Sequence, residues 1–195
     1  MNLRTRQLLL APGLFFLSGA ALAHPGHGEA AGFASGFIHP FSGLDHMAVM
    51  LVVGMWACFT AGRRAWIPIA AFMGFMGVGA VLAISGVPLP GIEAGIAASL
   101  LATGLLLMYL VRLPVVASVA LIGGFALYHG NAHGVELPLT AAPLLYCLGF
   151  LLATGILHLC GFGFGRWAQS FRTEWLLRWS GLLTSGFGAW LLLGV

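Results

Sequence analysis

The stretch GFIHPFSGLDHMAVM, Gly36 to Met50, sets His39, Asp45 and His46 at the mouth of a long apolar run. Imidazole nitrogens and a carboxylate oxygen gathered at one chain break are a donor set suited to a divalent first-row metal. From Leu44 to Ala61 there are eighteen residues in which Asp45 and His46 are the only acidic or imidazole side chains. As a helix that run is about 27 Å long, enough to cross a bilayer. Charge costs about 2.5–3.5 kcal/mol at the centre of a membrane helix and less near its ends, so an ionisable pair in the first turn calls for a function. A structural alternative stays open for Asp45: Ser42 and Asp45 have the S-x-x-D spacing of a capping box, and a carboxylate suits the positive end of a helix. That alternative gives neither histidine a reason.

A second stretch of the same kind is YHGNAHGVELP, Tyr128 to Pro138. His129 and His133 are four apart, and His133 and Glu136 three apart, which places them on one face if the segment is helical. Gly130, Gly134 and Pro138 argue against a continuous helix. The pattern therefore predicts a re-entrant or broken element that presents His133 and Glu136 to a wet cavity, because irregular backbone at membrane depth must be buried in protein or line water; a solvated loop is the alternative. Glu93 opens another apolar run beside Gly91 and Gly95, where it is either a further ligand or a carboxylate placed by the helix dipole. His158 follows Thr154 by four residues, about two turns or fewer from the end of its run. It is either an inner ligand or an interhelical hydrogen-bond partner. His24 and His27, in the polar segment HPGHGEAAG, either capture metal loosely or are simply solvated. Pro25 removes the N–H that a tight amino-terminal chelate would use.

The elements that must position these groups follow from composition. Sixty per cent of the 195 residues are hydrophobic and 7% charged, and the mean hydropathy is +1.01. That leaves too little polar surface for a soluble globule, so the fold class is an all-α integral membrane protein in contact with the lipid bilayer. All eight basic residues are arginine; without lysine the chain cannot supply a Walker A phosphate loop and is not itself a P-loop ATPase. Cys58, Cys147 and Cys160 lie in apolar runs with no CxxC pair, which indicates neither a disulfide framework nor a zinc knuckle. The net charge of +3 reflects arginines dispersed between apolar segments, a topological signal and not a nucleic-acid surface. GFGFG at Gly161 to Gly165 lacks the spacing and the preceding strand of a dinucleotide loop. No HExxH motif and no serine grouped with histidine and carboxylate point to an enzyme.

Along the chain, Met1 to Ala23 has Arg4 and Arg6, an apolar core and the ending Ala21-Leu22-Ala23, the pattern of a cleaved signal peptide. The expected organisation is a signal peptide over 1–23, a mobile His-containing periplasmic tail over 24–36, and a six-span transmembrane bundle over 37–195. After the first span, the remaining five are expected at Trp66–Ser85, Ile92–Val111, Leu113–Tyr128, Leu139–Gly161 and Trp175–Val195. Arg63, Arg64, Arg112, Arg166, Arg172 and Arg178 then all fall on one side, which the positive-inside rule makes cytoplasmic. This places the protein in the bacterial inner membrane with both mature termini periplasmic, and puts Glu29, Asp45, Glu93 and Glu136 on the outer side.

HPFSGLDH at His39 to His46, HGNAHGVELP at His129 to Pro138 and ATGILHLCG at Ala153 to Gly161 resemble the motifs of the HupE/UreJ family of nickel or cobalt permeases, over nearly the whole mature chain. The resemblance implies a secondary permease of about six helices, with His39, Asp45, His46, His133 and Glu136 at the motif positions. Its substrate would be a divalent ion, Ni²⁺ or Co²⁺, carried without any permanently bound cofactor. An oligomer or a metalloenzyme-maturation partner is compatible with it. The competing readings are a membrane metalloenzyme and a non-transporting metal-binding accessory protein.

Overall fold

The computed structural model describes residues 28–59, 64–139 and 141–194. The expected signal peptide, His24, His27 and Arg63 lie outside the described residues. These form seven helices and no strand: α1 (Gly28–Ser42), α2 (Leu44–Ala57), α3 (Trp66–Ile84), α4 (Ile92–Met108), α5 (Val115–Val135), α6 (Pro143–Ser170) and α7 (Glu174–Leu193).

The architecture departs from the sequence reading at three places. First, α1 occupies residues that include most of the expected tail, and the expected first span is shorter. α2 has 14 residues, about 21 Å at 1.5 Å per residue, too short to cross a bilayer unaided. The stretch Gly32–Ser42 and α2 meet at an 81° bend, as in a broken span or a re-entrant loop. Second, α5 runs unbroken through Gly130 and Gly134 to Val135, so the broken element expected there is a regular helix. Third, α6 extends to Ser170, which leaves His158 about three turns from its end rather than two or fewer. By length and composition α3, α5 and α6 each suffice to cross a membrane, and the bent α1–α2 pair would make a fourth span.

Glycine explains why α5 does not break. A Cβ on Gly130 would run into the Met76 carbonyl of α3, and one on Gly134 would stand 2.6 Å from the Ala80 carbonyl. Backbone-to-backbone approach of this kind holds membrane helices together where lipid removes the usual hydrophobic drive. It offsets the intrinsic cost of glycine in a helix, roughly 1 kcal/mol. Gly36 and Gly149 bring α1 against α6, and Gly54 and Gly161 bring α2 against α6. Gly104, Gly181 and Gly188 do the same for α4 and α7. α6 is thus the strut for the α1–α2 break, while α5 is clamped to α3. At the bundle centre Met50, Phe72, Met76, Leu100, Ile122 and Phe150 are all buried. Outward-facing Val81, Leu144, Leu159, Leu183 and Leu193 are exposed, the apolar exterior of a helical membrane protein.

The two ends of the bundle differ in charge. Trp56 at the end of α2 donates from Nε1 to the Val111 carbonyl beyond α4 (2.8 Å), and Arg178 of α7 donates to the Met108 carbonyl (3.1 Å). These bonds gather the arginine-bearing connections at one end. Asp45, Glu93 and Glu136 line a cavity at the other.

Candidate metal site

Gly43, with φ −104° and ψ 118°, is the extended residue that separates α1 from α2. The break bears on the capping-box reading of the S-x-x-D spacing. Gly43 occupies the cap position and makes no side-chain cap. The Ser42 hydroxyl instead turns back into α1 and donates to the His39 carbonyl at 2.6 Å, so the capping box is not formed. The Asp45 carboxylate is committed to its neighbour: Oδ1 accepts the His46 backbone N–H at 2.8 Å and the His46 ring at 3.0 Å.

The break opens onto a cavity of about 180 Å³ lined by His39, Ser42, Gly43, Asp45, His46, Glu93, Ile96, Ala132 and Glu136. α1 contributes His39, α2 contributes Asp45 and His46, and the first turn of α4 contributes Glu93. Glu136 comes from the C-cap of α5. His39 donates from Nε2 to Glu136 Oε2 at 2.7 Å. This bond holds the Glu136 carboxyl below its ordinary range, against the upward push of partial burial. Ligand atoms of His39, His133 and Glu136 lie within 4.8 Å of one another, a spacing that a single cation can draw together.

Four imidazoles continue inward from the cavity, and for three of them a partner fixes which nitrogen donates. The Asp45 carboxylate can only accept, so His46 carries a proton on Nδ1, and its Nε2 is left without a partner among the described residues. Ser99 sends its hydroxyl hydrogen to the Ile96 carbonyl at 2.6 Å and therefore accepts from His129 Nε2 at 2.8 Å, leaving Nδ1 free. His158 donates from Nδ1 to the Thr154 carbonyl at 2.8 Å, leaving Nε2 free. Among the described residues, His133 has no protein partner on either nitrogen. All five of these unpartnered ring nitrogens are buried. A ring that donates one N–H to a carboxylate or carbonyl and keeps its other nitrogen bare is the arrangement found behind metal-binding histidines. The rings are contiguous: centroids of His39 and His133, of His46 and His133, and of His46 and His129 are each 4.8 Å apart. His133 is stacked on Phe150 at 4.8 Å.

The structure thus brings His39, Asp45, His46, Glu93 and Glu136 to one cavity and sets His133 and His129 against it. His129, a secondary candidate by sequence, packs directly on His46. His158 stands apart, deeper in the bundle. Sequence reasoning missed Ser99, which orients His129, and Tyr146, whose buried hydroxyl has no partner and whose ring meets His39 edge-on at 5.9 Å. It also missed Asn131, which accepts from Leu89 N at 2.7 Å and donates to the Gly79 and Val87 carbonyls, pinning the α3–α4 connection to α5. An asparagine midway between two histidines four apart was the available signal.

An apolar helical bundle with a carboxylate- and imidazole-lined cavity at one end defines a helical membrane protein with a polar interior site. The chain belongs to the HupE/UreJ family: the family described as HupE / UreJ protein matches residues 13–191. It is similar to Protein HupE of Rhizobium leguminosarum bv. viciae, 43% identical over 147 residues that cover 75% of this chain and 76% of that protein. No solved structure matches.

Proposed function

We propose that this protein is a secondary transporter that takes up Ni²⁺ or Co²⁺ from the periplasm across the inner membrane, for metalloenzyme or cobalamin synthesis. Beyond the family motifs, one observation carries the reading. Three carboxylates line a cavity backed by buried imidazoles whose free nitrogens have no protein partner. Carboxylates attract a hydrated dication and compensate its charge. Imidazoles then replace its water with donors that Ni²⁺ and Co²⁺ prefer over Mg²⁺ or Ca²⁺.

In this mechanism the ion is concentrated near His24 and His27 and enters the cavity between Asp45, Glu93 and Glu136. It exchanges water for His39, His46 and His133, and moves inward past His129 and His158. Asp45 has two tasks, charge compensation and holding His46 with Nε2 bare. The site must bind moderately, because conduction requires release as well as capture. An inside-negative potential contributes about 2.3 kcal/mol per charge per 100 mV, so a dication gains roughly twice that without ATP. The lipid bilayer is the working environment, and a metalloenzyme-maturation protein is the partner that would receive the ion.

Direction is tested by topology. With native cysteines removed, an impermeant thiol reagent applied to intact cells is expected to label Pro90→Cys and not Arg112→Cys. The reverse pattern would make the protein an exporter. Gly43→Ala probes the break itself. The Gly43 backbone angles suit any residue, but a Cβ would stand 2.7 Å from Asp45 Oδ1 and 3.4 Å from His46 Nδ1. The carboxylate must then move, and isotopic nickel or cobalt uptake is expected to fall by about tenfold at unchanged abundance, the low end of what disturbed ligand orientation costs. Wild-type uptake by Gly43→Ala would remove the Asp45–His46 geometry from the mechanism.

A further inference from the structure

Deeper than the carboxylate cavity lies a second constellation without any acid. His158 is fully buried in α6, with its Nδ1 proton on the Thr154 carbonyl and its Nε2 free of partners. The hydroxyl of the same Thr154 points at two thioethers, Met50 Sδ of α2 at 3.4 Å and Met76 Sδ of α3 at 3.8 Å. Thr154 and His158, four apart on one helix, share a face. Met50, Met76 and Thr154 are as inaccessible as His158. α2 and α3 therefore each bring a sulfur to the turn of α6 that carries Thr154 and His158. Phe72, also buried, lies against both His129 (5.7 Å between centroids) and His158 (4.8 Å). Its ring is shared by the two histidines.

Methionine often serves merely as a flexible gap-filler. Here, however, both sulfurs converge on one hydroxyl beside an imidazole with a bare nitrogen. We infer that His158, Met50 and Met76 form a second, inner binding station for the transported ion, a soft nitrogen and sulfur site reached past Phe72. This rests on the transport reading and deepens it. Neutral imidazole and thioether donors hold Ni²⁺ or Co²⁺ more loosely than a carboxylate site, so an ion arriving there is ready to leave toward the arginine end. Mg²⁺ and Ca²⁺, which require oxygen donors, gain nothing from sulfur. An ion admitted by the outer carboxylates would meet a second filter of different chemistry.

The test is nickel X-ray absorption and equilibrium dialysis on the full chain in lipid nanodiscs loaded with Ni²⁺ alone. The wild type is expected to bind two ions per chain and to show a sulfur shell. Met50→Leu/Met76→Leu, a near volume-conserving change, is expected to bind one ion without sulfur and to take up nickel at least tenfold more slowly. The wild-type spectrum needs no variant to fold, so the proposal remains open to refutation in any case. Nickel held in the wild type by nitrogen and oxygen alone would overturn the inner station, as would a sulfur shell that survives in the double variant. In both cases uptake that still depends on Asp45 would leave the transport reading standing. No binding of Ni²⁺, and none of Co²⁺ in a parallel dialysis, would overturn both.

Discussion

Asp45→Asn is expected to reduce nickel or cobalt uptake by about a hundredfold, the upper range for loss of a group that orients a metal ligand, while the protein accumulates in the membrane at its normal level. Asparagine is nearly isosteric, and its carbonyl oxygen can still accept the two bonds that Oδ1 takes from His46. No helix cap is lost, since Gly43 holds that position. What disappears is one negative charge beside the cavity. A role confined to local structure therefore predicts near-normal uptake, and a role in handling a dication predicts collapse. Asp45→Glu separates charge from position: it keeps the charge, moves it outward by a methylene, and is expected to retain part of the activity. Uptake assays paired with immunoblots of membrane fractions distinguish these outcomes.

His133→Leu is expected to abolish uptake and yet leave the protein as stable as the wild type or more so. His133 is fully buried, and among the described residues no protein group depends on either ring nitrogen for a hydrogen bond. Leucine would keep an apolar contact with Phe150 and remove two buried polar atoms, each worth roughly 1–3 kcal/mol when unsatisfied. A gain in stability that accompanies a loss of function is the signature of a residue kept for its chemistry. The check is a thermal melt of purified His133→Leu beside its uptake rate. A melting temperature well below wild type would mean that the histidine is structural.

Much of the candidate site was legible because its chemistry is local. His39, Asp45 and His46 stand out as polar groups at the head of an apolar run, and His133 and Glu136 as an i, i+3 pair. The secondary structure around them was less legible. Gly130 and Gly134 read as helix breakers because an isolated helix gains nothing from glycine, whereas here each admits the backbone of α3. α1 escaped notice because GEAAGFASGFIHPFS is rich in glycine and carries Pro40 inside the helix; its packing surface on α6 is visible only in three dimensions. Ser42 and Asp45 matched a capping pattern, but the hydroxyl found the His39 carbonyl instead. Ser99, Met50 and Met76 owe their roles entirely to partners more than 25 residues away along the chain, and no spacing rule reaches that far.

Isotopic nickel and cobalt entry into proteoliposomes that contain only this protein, with a potassium diffusion potential set by valinomycin, tests whether the chain by itself carries a divalent metal ion down an electrical gradient. Uptake is expected without ATP and should rise steeply as the interior is made negative. A dication gains about 4.6 kcal/mol per 100 mV, which allows accumulation of roughly three orders of magnitude at equilibrium. Uptake should vanish with Asp45→Asn. Vesicles that bind the metal at their surface but accumulate none at any imposed potential would contradict the account and leave a metal-binding membrane protein in its place.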